Sequence, residues 1–270
     1  MSVSFKNMKA SIGSQSYYAE SINISESIDV DSFAALGTKN YNTIARGHPE
    51  GSIDIDFYVT TGDEIDMIES GYGSTGFTEV RAGPFIIKNA LLNSFSINGS
   101  PSDIIRGSIS YSYYGQMESG SSPSKSGATI IPAHGASSSG RMEDLGVSKM
   151  ISFDYSFSQN FDVKYSLASS GISRVSYAGG SKTLDIESVL SDVDFEKTNL
   201  TGASGLCISE SGFSKRASEI GLYNLCQEHV ADLSISGILN SRSLSSSPGS
   251  EVIERINISE KYVKNTGCDE

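Results

Sequence analysis

Two aspartates spaced two residues apart, Asp54 and Asp56, are the first side chains whose type and spacing suit chemistry. They lie in Gly51-Ser-Ile-Asp-Ile-Asp-Phe-Tyr-Val-Thr-Thr61, where Ile53, Ile55, Phe57 and Val59 alternate with Asp54, Asp56 and Tyr58. That period of two is a strand with one dry and one wet face, about 23 Å long over seven residues. Residues i and i+2 share a face with Cα atoms about 7 Å apart. Such a separation would suit the acid and base of a glycosidase. Those pairs come from different strands, however, and stand beside aromatic sugar platforms, and the chain has no Trp. The plainer reading is a solvated face whose charge acts collectively.

A weaker copy of the strand, Thr183-Leu-Asp-Ile-Glu-Ser-Val189, supplies Asp185 and Glu187 in the same alternation. These four carboxylates form the candidate functional surface. Asp63, Glu64 and Asp66 read instead as acids at the start of a helix, with Asp63 as its N-cap.

Other motifs carry less. Gly71-Tyr-Gly-Ser-Thr-Gly76 fits G-x-G-x-x-G, but it follows a helical pattern and runs into a strand, the reverse of a dinucleotide-binding turn. Lys125-Ser126 lacks the preceding glycine of a phosphate loop, and Gly202-Ala-Ser-Gly lacks the spacing of a nucleophile elbow. His48, His134 and His229 have no metal-ligand spacing, and Cys207, Cys226 and Cys268 make neither a zinc pattern nor an even disulfide set. The expectation is a non-enzymatic protein with no catalytic, cofactor-binding or metal-binding residues, and with free thiols in a reducing compartment.

The elements that position the carboxylates are mostly strands. Hydrophobic residues make up 37% of the 270, and Tyr (13) and Phe (11) stand in for Trp, a mix that fits pleated surfaces. Strands are expected at Val3–Phe5, Tyr17–Val30, Phe77–Arg81, Pro84–Lys88, Leu91–Ile97 and Ile104–Tyr114. One short helix is expected from Asp63 to Gly71, and an extended loop over Asp31–Glu50. A net charge of −12 repels phosphate, which excludes conventional nucleic-acid binding. No apolar run reaches the length of about 20 residues needed to span a bilayer as a helix, and no signal-peptide core opens the chain, so no membrane partner is expected.

Gln116–Gly140 is rich in Gly, Ser and Pro, and the second half replays the first around it. Ile151–Phe157 and Phe161-Asp-Val163 match Glu20–Val30, and Leu184–Glu187 matches Ile53–Asp56. Leu233–Gly237 matches Phe95–Gly99, and Ile256–Ser259 matches Ile109–Ser112. Gly205–Cys226 has no counterpart and reads as an insertion. The expected organisation is residues 1–117, a linker at 118–140, a second domain at 141–265 and a tail at 266–270.

Three phrases, Tyr18-Ala-Glu-Ser-Ile-Asn-Ile-Ser25, Asp54-Ile-Asp-Phe-Tyr-Val-Thr-Thr-Gly-Asp63 and Phe95-Ser-Ile-Asn-Gly-Ser-Pro101, fall in an order that resembles bacteriophage tail tube proteins. The resemblance implies a mainly β protein of two similar β-sandwich or half-barrel domains, each with one short flanking helix. It implies a structural virion protein, made in the host cytoplasm, whose subunits join as a hexamer or a pseudo-sixfold trimer into stacked rings. Other phage tail proteins would be partners, and DNA only passing cargo. Asp54, Asp56, Asp185 and Glu187 would then line the channel or an interface. The alternatives are a β-sandwich adhesin or ligand-binding module, or a related connector or terminator ring.

Overall fold

The computed structural model describes residues 2–34, 41–45, 48–121, 131–142, 150–165, 172–189, 215–248 and 250–262. Its strands are β1 (Ser2–Ile12), β2 (Gln15–Ser27), β3 (Val30–Ala34), β4 (Tyr41–Ala45), β5 (Glu50–Tyr58), β6 (Thr78–Ala82), β7 (Phe85–Gly99) and β8 (Arg106–Tyr114). They continue as β9 (Glu118–Ser119), β10 (Ser139–Met142), β11 (Met150–Tyr165), β12 (Ile172–Val189), β13 (Lys215–Tyr223), β14 (His229–Ser245) and β15 (Ile253–Tyr262). The helix α1 spans Gly62–Ser70.

All but β3 and β4 belong to one antiparallel sheet of thirteen strands, in the order β10-β13-β14-β15-β12-β11-β7-β6-β1-β2-β5-β8, with β9 on β7. A further β7–β8 pairing closes β6, β1, β2, β5, β8 and β7 into a six-stranded barrel. β7 is the hinge of this arrangement. Its first half pairs with β6 and its second half with β11 on the same edge, while β8 runs along the other edge. The period-2 pattern of each strand feeds one core. Ile53, Ile55 and Phe57 of β5, Phe95 and Ile97 of β7, Tyr155 and Phe157 of β11, and Leu184 and Ile186 of β12 are all buried in it.

This architecture overturns the expected pair of β-sandwich domains, each with its own helix, and with it the resemblance to a duplicated tail tube protein. One continuous sheet, one barrel and one core span both halves, and α1 is the one α-helix among the described residues. The physical reason is that β7 offers an edge which β11 completes, so the second half extends the first instead of folding apart from it. What does recur is a strand order. β6-β7-β8-β5-β2 in the first half is repeated as β13-β14-β15-β12-β11 in the second. The span read as an insertion therefore contains β13, which stands to β14 as β6 stands to β7. Of the Gly/Ser-rich region, the described stretch 131–138 stitches the halves together. The Ala133 N–H donates to the Val59 carbonyl (2.8 Å) and the His134 N–H to the Tyr223 carbonyl (2.8 Å).

Two local expectations also change. Asp31–Glu50 is not a plain loop: β3 and β4 form a separate two-stranded sheet that prolongs the β2–β5 pair. The helix is capped by Thr61, whose backbone is extended, and not by Asp63. Glu64 turns back so that its carboxylate accepts from the backbone N–H groups of Thr60 (3.2 Å) and Thr61 (3.3 Å), satisfying donors a helix start leaves free. Burial pushes the Glu64 carboxyl above its ordinary range.

The helix joins the two halves. Ile65 and Ile68 are buried in the core, and the Tyr17 hydroxyl of β2 donates to the Glu64 carbonyl (3.0 Å). On the other side the Tyr155 hydroxyl of β11 donates to the Glu69 carboxylate, and Lys182 Nζ of β12 lies 3.5 Å from it. Gly71-Tyr-Gly73, just past the helix, receives a further tie. Gln159 of β11 is buried, and its amide donates to the carbonyls of Gly71 (3.2 Å) and Leu92 (2.6 Å) and accepts from the Gly73 N–H (2.8 Å). Gly73 has φ +75, a left-handed conformation that favours glycine. Gln159→Ala strips three backbone groups, one buried and two part-buried, of their partner at once. It should lower unfolding free energy by about 2–4 kcal/mol in urea titrations. A loss under about 0.5 kcal/mol would show that the bridge does not hold the halves together.

Candidate functional site: an acidic, hydroxyl-lined sheet face

Asp54 and Asp56 alternate with buried Ile53, Ile55 and Phe57, so both point off the outer face of β5. Asp185 and Glu187 alternate in the same way with buried Leu184 and Ile186 on β12. The two pairs are not brought together. β8, β7 and β11 lie between β5 and β12, about 19 Å at the usual strand spacing.

Their surroundings correspond bond for bond. The Ser110 hydroxyl of β8 donates to Asp54 (2.6 Å), and the Asn257 amide of β15 donates to Asp185 (2.7 Å). Ser21 of β2 donates to Asp56 (2.5 Å), and Ser152 of β11 to Glu187 (3.5 Å). The neighbouring strands agree: the Asn93 amide donates to the Ser112 hydroxyl, as the Asn240 amide does to the Ser259 hydroxyl. Each carboxylate is thus held by a short polar side chain on a neighbouring strand, at positions related by the repeated strand order.

Between the two acidic strands the outer face is lined by small hydroxyls. One row runs by direct cross-strand pairing through Ser21, Asp56, Ser108, Ser96, Ser156 and Thr183. The next contains Asn23, Asp54, Ser110, Ser94, Ser158 and Ser181. Some of these hydroxyls bond to one another, as Ser156 and Thr183 do at 2.9 Å. Two arginines beside the acidic residues are occupied. Arg106 lies 3.3 Å from the Glu20 carboxylate, and Arg255 lies 3.2 Å from that of Glu187. The result is a face of hydroxyls and carboxylates in which Arg106 and Arg255 are paired with neighbouring carboxylates.

Asp154 of β11 is the residue that sequence reasoning missed. It sits directly across from Asp185, and partial desolvation together with that neighbouring carboxylate raises its pKa. The signal was present in Ser152-Phe-Asp-Tyr, where Asp154 has the wet-face parity. Asp154, Asp185, Glu187, Arg255, Asn98 and Asp103 line an open recess of about 370 Å³.

The remaining candidates have structural roles or lie elsewhere. Gly71–Gly76 follows α1 and leads to β6, and its Gly73 N–H is taken by Gln159. His48 stacks on Tyr165 at 4.6 Å, His134 Nδ1 accepts from the Ala136 N–H, and His229 pairs with Asp232 at 2.8 Å. Among the described residues, no three His, Cys, Asp or Glu side chains gather in a way that would hold a metal ion. Lys125-Ser126, Gly202–Gly205, Cys207, Cys268 and the tail at 266–270 lie outside the described residues. No family model matches the chain, and no curated protein matches it.

The Asp154–Asp185 pair yields a signed prediction. The folded state holds the Asp154 proton to higher pH than the unfolded chain does. Its contribution is therefore full below the ordinary Asp value of 3.8 and is lost as pH rises through the raised folded value. Asp154→Asn should raise stability by a few tenths of a kcal/mol, up to about 1, near neutral pH, because like charges directly opposite are destabilising. The gain should vanish under acid conditions where the aspartate is protonated. Chemical denaturation across that pH range checks this, and a mutant less stable than wild type near neutrality contradicts it.

Proposed function

We propose that this chain is a structural, non-enzymatic protein that self-assembles into stacked rings. In this reading its hydroxyl- and carboxylate-lined face surrounds a channel along which DNA passes, as in a phage tail. The observation that carries the proposal is the outer face itself. Across five neighbouring strands it offers small hydroxyls and carboxylates, while Arg106 and Arg255 are already paired. Duplex DNA carries about one negative charge per 1.7 Å of its axis, and proteins hold it by neutralising phosphates with cations. A face built this way does the reverse and lets a polyanion slide without sticking. The net charge of −12 acts in the same direction. Self-assembly is the role that turns a non-binding face into a function, because a surface that repels DNA is useful only when wrapped around it. Virion localisation and association with other tail proteins follow from the same reading.

Charge reversal tests it. The wild-type assembly, isolated by sedimentation, should not retain duplex DNA in a gel-shift assay at about physiological ionic strength, where the Debye length is roughly 8 Å. The combined variant Asp54→Lys, Asp56→Lys, Asp185→Lys, Glu187→Lys should still assemble and should capture DNA. A wild-type protein that stays monomeric at every concentration rejects the self-assembly reading. Tight DNA binding by wild type, or specific glycan binding without ring formation, rejects the channel reading.

A further inference from the structure

β11 and β12 run on together past the strands that flank them in the sheet. β7 accompanies β11 as far as Ser158, and β15 accompanies β12 from Gly180 onward. Beyond these points Phe161–Tyr165 pairs with Ile172–Tyr177. At the root of this extension the register shifts between Asn160 and Phe161, which leaves Ala178 as an extra residue on β12. Gly179 beside it has φ +131, a conformation that side chains disfavour. A Cβ on Gly180 would strike the Tyr177 hydroxyl and come 2.7 Å from the Ser158 carbonyl oxygen. An extra residue next to two such glycines is a bulge, and a bulge bends its strand.

The far end shows where the bend leads. The Tyr165 hydroxyl donates to the Glu50 carboxylate (3.0 Å), and its ring stacks on His48 with centroids 4.6 Å apart and planes at 21°. Glu50 has the parity of Asp54 and Asp56, and it pairs with Tyr114, which has the parity of Ser110 and Ser112. Tyr165 therefore rests on the outer face of the barrel. Burial, and then Glu50 and Tyr114 beside it, raise the pKa of its hydroxyl. β7 and β8 lie between β11 and β5, so the contact spans three strand spacings, about 14 Å. The β11–β12 extension reaches Glu50 by leaning across β7 and β8.

We infer that this extension is a strap that closes over the Glu50–Tyr114 end of the acidic face and is fastened by Tyr165. The bend at its root is set by the backbone, whereas the fastening is made by exposed groups. Glu50 is exposed, and Tyr165 is 37% exposed. A hydrogen bond in reach of water is exchanged for one to water at small net cost. The strap thus opens without disturbing the core. Opening uncovers His48 and Tyr114 and lengthens the face available along β5 and β8. The inference stands on contacts within one chain and does not depend on the channel reading.

Hydroxyl-radical footprinting of the full-length chain, read residue by residue by mass spectrometry, tests the strap. Tyr165→Ala removes the fastening. It should raise labelling of His48 and Tyr114 by about threefold or more, as expected for the loss of one stacked ring contact, with the melting temperature unchanged. Gly180→Ala keeps Tyr165 but obstructs the bend, and it should raise labelling of the same two residues. Unchanged labelling of His48 and Tyr114 in Tyr165→Ala overturns the fastening. A rise in that variant with none in a folded Gly180→Ala variant overturns the strap, because Tyr165 would then cover its neighbours without the bend. A melting temperature lowered by several degrees in Tyr165→Ala overturns it too, because the contact would then belong to the core.

Discussion

A strand has two edges, and β7 has to satisfy more neighbours than two. Its fifteen residues, about 50 Å of extended chain, pair with β8 on one side and with β6 and then β11 on the other. The irregularity between Leu92 and Ser94 lets one strand turn from the barrel into the second half. Everything else depends on that sharing. Phe95 packs near both Phe57 of the barrel and Phe157 of β11, with ring centroids 6.4 and 5.4 Å apart, so the core has no seam. The helix, Glu69 with Lys182, and Gln159 with Gly71 and Gly73 then fasten the two halves around this strand.

The same sharing explains the functional face. Since the halves form one sheet, the outward residues of β5, β8, β7, β11 and β12 fall into common rows, and hydroxyls from distant parts of the sequence meet side by side. Asp54 with Ser110 and Asp185 with Asn257 are then two instances of one device, a carboxylate steadied by a short polar side chain on the next strand. In the reading proposed above, such a surface acts through its area and its sign.

Much of this was legible in the alternation of residues. Ile53, Ile55 and Phe57 gave β5 its dry face and the carboxylates their wet one, and the similarity of Leu184–Glu187 to Ile53–Asp56 marks strands with equivalent neighbours. Alternation is local, however, and barrel closure is not. Nothing in β7 announces that its edge will be shared, and exposed Lys88 and Asn89, between buried Ile87 and Ala90, make one strand read as two. The repeat was also misplaced. Leu233–Gly237 resembles Phe95–Gly99 in hydropathy, yet side-chain bonding ties Asn240, not a residue of that run, to Ser259 as Asn93 is tied to Ser112. Hydrophobic pattern carries face, while hydrogen-bond register carries position, and only the first can be read along a single chain. The β3–β4 pair was missed for a related reason, because its residues show little alternation and it forms a sheet apart from the main one.

The central claim is that the acidic, hydroxyl-lined face borders a channel in an assembly of this chain. An averaged electron cryo-microscopy map of the purified, assembled protein tests it most directly. The account predicts rings in which Asp54, Asp56, Asp185 and Glu187 point into a central opening wide enough for duplex DNA. Rings with these side chains on the outer circumference or buried between subunits would contradict it.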